Sequence, residues 1–345
     1  MLDPRYAYIS AYLKAEEPNV VSSRHIDRML GTSNIRDAQT IIRRTDVGNH
    51  LEGASYKNFN DLDRSLWHYF VLCIQEIEAF KFLPGDMTKL SRLYMEKYDV
   101  VNIKAAAQAL GKVGSQDPMI PVGTFYNNGL LDALACAENI PEIIELLTQN
   151  RLGRYIPILE DYESDGGTKA RLILGASLDG EYFKAMLGLS NKIKDGSVMA
   201  QATGVVIDIT NLQITTRAII ENIGTDIADY IIPGGYLLTD KTIRELLTVK
   251  ISDLPRRLED SNYHGVAREL AGSYDKTKRI TSVNEVLETY KYRSLRDMLS
   301  PTVLSPLVMA WYLVLKETEI RNLRIMFRAL YNNISTEEIK RFLIF

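Results

Sequence analysis

The sequence predicts an all-α protein made of three similar helical units. Three observations carry the prediction. One short pattern occurs three times, about 110 residues apart, in YDVVNIKAAAQAL from Tyr98, IDITNLQITTRAI from Ile207 and TEIRNLRIMFRAL from Thr318. The apolar residues inside it recur at spacings of 3, 4 and 3, which line one side of a helix and do not alternate as a strand does. A pair of short capped segments also repeats, in SSRHIDRMLGTSNIRDAQTII from Ser22 and NNGLLDALACAENIPEIIELL from Asn127.

Each copy of the long pattern opens on an acid: Asp99, Asp208 and Glu319. Three residues on stand Asn102, Asn211 and Asn322, and two further on Lys104, Gln213 and Arg324. Nine places after each acid come Gln108, Arg217 and Arg328. The apolar columns are Val100, Ile103, Ala107 and Leu110; Ile209, Leu212, Thr216 and Ile219; and Ile320, Leu323, Phe327 and Leu330. Taken alone, TGVVIDITNLQITTRAII (203–220) favours a strand, because Val, Ile and Thr are β-branched. Its register with the other two copies makes it a helix. At about 100° per residue, the columns form one face, the acid sits at the edge of that face, and Asn and the distal Arg or Gln lie on opposite flanks. Two roles fit such polar residues. They contact a neighbouring unit or partner, or they bond to adjacent helices and fix the register of the core, as buried polar groups require.

In the short pair, Ile26, Asp27, Met29, Asn34, Ile35 and Ile41 face Leu131, Asp132, Leu134, Asn139, Ile140 and Leu146. DKTIRELLTVKISDLPRRL from Asp240 reads as a shifted third copy. The final STEEIKRFLIF matches the first helix again, with Ser335 and Glu338 spaced as a capping box. Each unit is a pair of short helices followed by long helices that end in the Asn-bearing one, and the terminal segment is suited to cover the edge of the first unit and close a ring. Gly- and Pro-marked joints at 111–123, 163–167 and 233–235 are turn chemistry. The expected units are 1–125, 126–237 and 238–345.

Composition narrows the function. The 345 residues carry 41 Lys and Arg against 44 Asp and Glu, a formal net charge of −3. That balance disfavours a dedicated nucleic-acid binder, which needs a basic stripe to neutralise phosphates. Cys73 and Cys136 read as reduced core thiols of a reducing compartment. MLDPRYAYISAYLK lacks the apolar core of a secretory signal. The longest apolar run, 303–315, falls short of the roughly 20 residues that span a bilayer. The expectation is a cytoplasmic chain with no span of its own.

Catalytic chemistry is hard to assemble. His25, His50, His68 and His264 are scattered without metal-ligand spacing. LGKVGSQ (110–116) lacks the upstream glycine of a phosphate loop, and Val113 stands where a Ser or Thr would hold Mg²⁺. GASLDG (175–180) is no nucleophile elbow, for want of a glycine two places after Ser177, and reads as a turn or helix start. No catalytic, cofactor or metal residues are assigned.

Five segments together resemble the C subunit of archaeal and bacterial A/V-type ATP synthases, which is similar to the d subunit of the eukaryotic vacuolar proton pump. They are YAYISAYLKAEE, the stretch from SRHIDRML to DVGNHL, YMEKYDVVNIK, SLDGEYFKAML and KETEIRNLRIMFRALYNNISTEEIKRFL. The resemblance spans essentially the whole chain and rests on order, spacing and threefold occurrence. It implies three helical units in a pseudo-threefold, funnel-shaped arrangement, and a non-catalytic role at the cytoplasmic face of the membrane. The implied partners are the proteolipid ring of the membrane sector and the D and F subunits of the central stalk. The central copy departs from the other two in carrying Gln213 where they have Lys104 and Arg324. The alternative reading is a helical-repeat adaptor that binds a soluble partner in a concave surface.

Overall fold

A computed structural model describes residues 4–54, 56–110, 119–162 and 167–345. In chain order its helices are α1 (Ala7–Glu16), α2 (Ser23–Leu30), α3 (Ile35–Ile42), α4 (Asp46–Leu51), α5 (Phe59–Glu78), α6 (Gly85–Ala109), α7 (Thr124–Asn127), α8 (Leu131–Ala135) and α9 (Ile140–Gln149). They continue as α10 (Ile156–Glu160), α11 (Gly167–Ser190), α12 (Gly196–Ile220), α13 (Asp240–Leu246), α14 (Leu254–Arg257), α15 (His264–Thr277), α16 (Ile280–Leu299), α17 (Leu307–Tyr331) and α18 (Thr336–Ile339). Among the described residues there is no strand.

The three pattern-bearing helices, α6, α12 and α17, are each 25 residues long. The stretch 203–220 lies wholly within α12. Helix propensity separates Val, Ile and Thr from Ala by at most about 0.7 kcal/mol per residue, whereas burying one such side chain contributes about 1.5–3 kcal/mol. Burial wins here: of residues 202–220 none is exposed. The threonine hydroxyls are accommodated inside the helix, Thr210 Oγ1 donating to Val206 O (2.8 Å) and Thr216 Oγ1 to Leu212 O (2.7 Å).

Short helices begin where the repeat places their caps. Asn34 Oδ1 accepts from Asp37 N (2.9 Å) ahead of α3, and Asn139 Oδ1 from Glu142 N (3.0 Å) ahead of α9. Thr239 Oγ1 accepts from Thr242 N (3.1 Å) ahead of α13. Ser22 and His25 form a reciprocal box at α2.

Packing divides the chain into two compact bodies, one of residues 1–91 with 295–345 and one of residues 92–294. In the first, α17 is the central element and packs against α5, α1, α3 and α18. Pro306 precedes it, and every residue from Leu307 to Val314 is buried. Helix α1 is tied down at both ends, by Tyr6 Oη on Asp86 and by Lys14 Nζ on Ser300 O (2.7 Å). In the second body α11 and α12 form an antiparallel hairpin. Ile209 and Leu212 of α12 join Ile243, Leu254, Leu270 and Leu287 in one apolar cluster.

Two expectations change. GASLDG is neither a turn nor a helix start: it lies in the middle of α11, where Gly175 and Gly180 face open space. Cys73 is buried, but Cys136 is exposed at the end of α8, a helix too short to cover it. Of the expected joints at 111–123 and 163–167, residues 111–118 and 163–166, with most of LGKVGSQ, lie outside the described residues.

Candidate functional site

The repeated asparagines make the same bond three times. Asn102 Nδ2 donates to Ile120 O (2.9 Å) while its Oδ1 accepts from Ile120 N (2.8 Å). Asn211 does the same to Ile232 (2.8 and 3.0 Å), and Asn322 to Ile344 (2.8 and 3.0 Å). A carboxamide is the one neutral side-chain group that offers a donor and an acceptor side by side, so it can pair with both backbone groups of one residue as a strand neighbour would. All three asparagines are buried. Each clamp fixes an irregular segment downstream of its helix against the helix itself.

The acids hold main chain as well. Asp99 accepts from Thr124 N (2.8 Å) and Phe125 N (3.0 Å), the first amides of α7. Asp208 accepts from Leu237 N (2.8 Å), from Leu238 N (3.3 Å) and from the Tyr263 hydroxyl (2.8 Å), just ahead of α13. Glu319 accepts from Val21 N (2.7 Å), just ahead of α2. In every case the acid secures the backbone entering a short helix. The sequence placed the acids at the edge of the apolar face; they are fully buried, because the chain that they bind covers them. In two copies a glycine makes room: a Cβ on Gly123 would lie 2.5 Å from Asp99 Oδ1, and one on Gly235 2.1 Å from Asp208 Oδ1. Gly123 also has φ +102°, a conformation that disfavours any other residue.

Burial raises all three carboxyls. Asp99 is pushed up to about 6 by loss of water, against the pull of the Thr124 and Phe125 amides. Asp208 is raised by burial against the amides of Leu237 and Leu238 and the Tyr263 hydroxyl. Glu319 is raised by burial against Lys316 and the Val21 amide.

The next column links long helices. Lys104 of α6 pairs with Asp179 of α11, and Gln213 Nε2 of α12 donates to Glu288 Oε1 of α16 (3.2 Å). Arg324 of α17 grips Asp63 of α5 with Nε and a terminal nitrogen. Gln213 therefore keeps the position of the other two while exchanging an ion pair for a hydrogen bond to a carboxylate. The distal column is not brought into any shared contact. Arg217 pairs with Glu221 one turn on, and Arg328 lies over the Phe59 ring. The backbone partners Ile120, Ile232 and Ile344 were not identifiable from sequence, since main-chain donors leave no side-chain signature.

A cleft of about 630 Å³ in the second body lies between α11 and residues 229–234. Its charged side chains are occupied with near neighbours, Lys184 with Glu181 and Asp229 with Arg244. Among the described residues no group of three His, Cys, Asp or Glu is placed to hold a metal ion, and no helix is long and apolar enough to cross a membrane.

The clamp and its acids set three measurable outcomes. Asn211→Leu strands the N–H and C=O of Ile232 and lowers stability by roughly 1–3 kcal/mol per unpaired group, read by urea denaturation; an unchanged midpoint would remove the clamp's role. Gly235→Ala drives a methyl into the Asp208 carboxylate and destabilises by roughly 1–3 kcal/mol, while Gly180→Ala, facing open space, does not. Asp99 gives a pH signature. With its folded value about 6 against an unfolded 3.8, the native chain binds more protons between these values, so stability falls as pH rises through that window, by roughly 3 kcal/mol. Asp99→Asn abolishes that component, and parallel pH profiles for the two proteins would contradict the assignment.

Comparison with known proteins identifies a family. A family model described as ATP synthase (C/AC39) subunit matches residues 9–342. The C subunit of the A-type ATP synthase of Methanosphaera stadtmanae is 25% identical over 352 aligned residues, covering 98% of this chain and 88% of the relative. That of Methanobrevibacter smithii is 26% identical over 344 residues, covering 94% and 84%. That of Pyrococcus abyssi is 24% identical over 348 residues, covering 97% and 89%. The matched region includes all three asparagines, all three acids and every 25-residue helix that carries them, and the chain belongs to the ATP synthase (C/AC39) subunit family.

Proposed function

We propose that this protein is the non-catalytic coupling subunit in the central rotor of an A/V-type ATP synthase or ATPase. It links the membrane proteolipid ring to the D and F subunits of the central stalk on the cytoplasmic face of the membrane. Units 1–125, 126–237 and 238–345 take up the pseudo-threefold, funnel-shaped arrangement, with the Asp208 contacts to Leu238 and Tyr263 joining the second unit to the third, the Glu319 contact to Val21 joining the third to the first, and the Asp99 contacts lying at the end of the first. A part that passes torque between a ring and a shaft loses work to its own compliance, so it benefits from close-packed helices and from irregular segments bonded to them. The observation that carries the reading is the repetition itself: three helices of equal length each fasten a loop through Asn102, Asn211 or Asn322. Relatives named as the C subunit of an A-type ATP synthase support the same assignment.

The test is affinity isolation of the tagged full-length chain from native membranes after gentle solubilisation. A proteolipid ring and the D and F subunits are expected in the eluate. Recovery of a soluble partner with neither ring nor stalk would overturn the proposal in favour of an adaptor.

A further inference from the structure

The three acid joints are built differently. Asp99 and Asp208 bind amides 25 to 30 residues further along the same stretch of chain, so one short connection keeps each pair of groups near one another. Glu319 binds an amide 298 residues away, so this joint ties the N-terminal segment to a C-terminal helix, and Val21 is kept near its acid by the packing of α1 on α17 and not by a short loop of the same stretch.

That third joint also carries a buried cation on the long helix itself, whereas the first has Glu96 on its long helix, paired with Arg154. Three residues before the acid stand Glu96, Val205 and Lys316. The Lys316 side chain is 1% exposed and its Nζ lies 2.6 Å from Tyr69 Oη, 3.4 Å from Glu319 Oε2 and 3.5 Å from Asp46 Oδ2. At the first two joints a tyrosine hydroxyl reaches a carboxylate, Tyr155 to Glu96 (2.6 Å) and Tyr263 to Asp208. At the third the polarity is reversed, with a cation on the long helix and an acid, Asp46, on α4. A buried ion stripped of its partner is strongly destabilising, so the contacts around such a group are kept or lost as a set.

We propose that Lys316, Glu319 and Asp46 form an electrostatic latch that closes the segment Glu17–Ser22 and helix α4 onto α17, and that this is the joint at which the protein first opens. The groups facing Lys316 come from every element packed around it: Glu16 of α1, Asp46 of α4, Tyr69 and Cys73 of α5, and Tyr312 and Glu319 of α17. Opening frees Val21 from Glu319 and uncovers part of the α17 surface, while the joints at Asp99 and Asp208 stay shut. The body thus has a defined clasp, where partial opening is distinct from unfolding.

Amide hydrogen exchange on the full chain tests the latch through the amides of Val21, Thr124, Phe125 and Leu237. In the wild type, Val21 is expected to exchange faster than the other three. Lys316→Met should accelerate Val21 exchange by about tenfold or more, with less than about a twofold change at Thr124 and Leu237. Where Lys316→Met does not fold, Asp46→Asn provides the same comparison with a milder loss of charge. Equal exchange at all three joints in the wild type, or an acceleration of the same size at each joint in the variant, overturns the proposal.

Discussion

A carboxylate or carboxamide inside a helical core must find its hydrogen bonds there, and in this protein the main chain supplies them. Six buried polar side chains, an acid and an asparagine on each of three long helices, bond to irregular segments or, for Asp99, to the first turn of a short helix. The dependence is mutual. Without those segments the side chains would be stranded in apolar surroundings, and without the side chains the segments would have unpaired N–H and C=O groups. The loops are therefore as firmly specified as the helices. The short helices that follow inherit their starting points from the acids.

This arrangement separates two tasks that sequence patterns usually mix. The apolar columns supply bulk stability and tolerate exchange among Val, Ile, Leu, Thr, Ala and Phe, as the three copies demonstrate. The polar columns supply geometry. A carboxylate fastened to amides at α7 or ahead of α13 fixes where the chain turns, and the pairs Lys104–Asp179, Gln213–Glu288 and Arg324–Asp63 tie one long helix to another. Stiffness then comes from directional bonds at the ends of irregular segments as well as from packing. That combination suits the coupling role proposed above.

Much of the fold is legible in the amino-acid sequence. Helical spacing in α12 overruled its β-branched composition because the period of Ile209, Leu212 and Thr216 reports a buried face, and burial outweighs local preference. The caps at Asn34 and Asn139 could be read because a side chain performs them. The clamps were only half legible. Asn211 stood out by repetition, but Ile232 could not, since any residue supplies a main-chain amide and carbonyl. Gly123 and Gly235 read as ordinary turn residues, although their absent side chains make space for a carboxylate across the fold. Lys316 was hidden for the opposite reason. Within KETEIRNLR it looks like one more solvated charge, and only the convergence of Asp46 and Tyr69 from distant parts of the chain places it in the interior.

The acids recognise peptide groups, and that has a bearing on how such a chain can change over time. Thr124 with Phe125, Leu237 with Leu238, and Val21 carry different side chains, yet each supplies the N–H that its acid requires. As hydrogen-bond donors these positions accept any residue but proline, and packing alone restricts buried ones such as Phe125 and Leu238, while the acid, its asparagine and, in two copies, a nearby glycine carry the geometry. An ancestral unit copied three times could lose nearly all likeness between its copies and still fold each to the same plan.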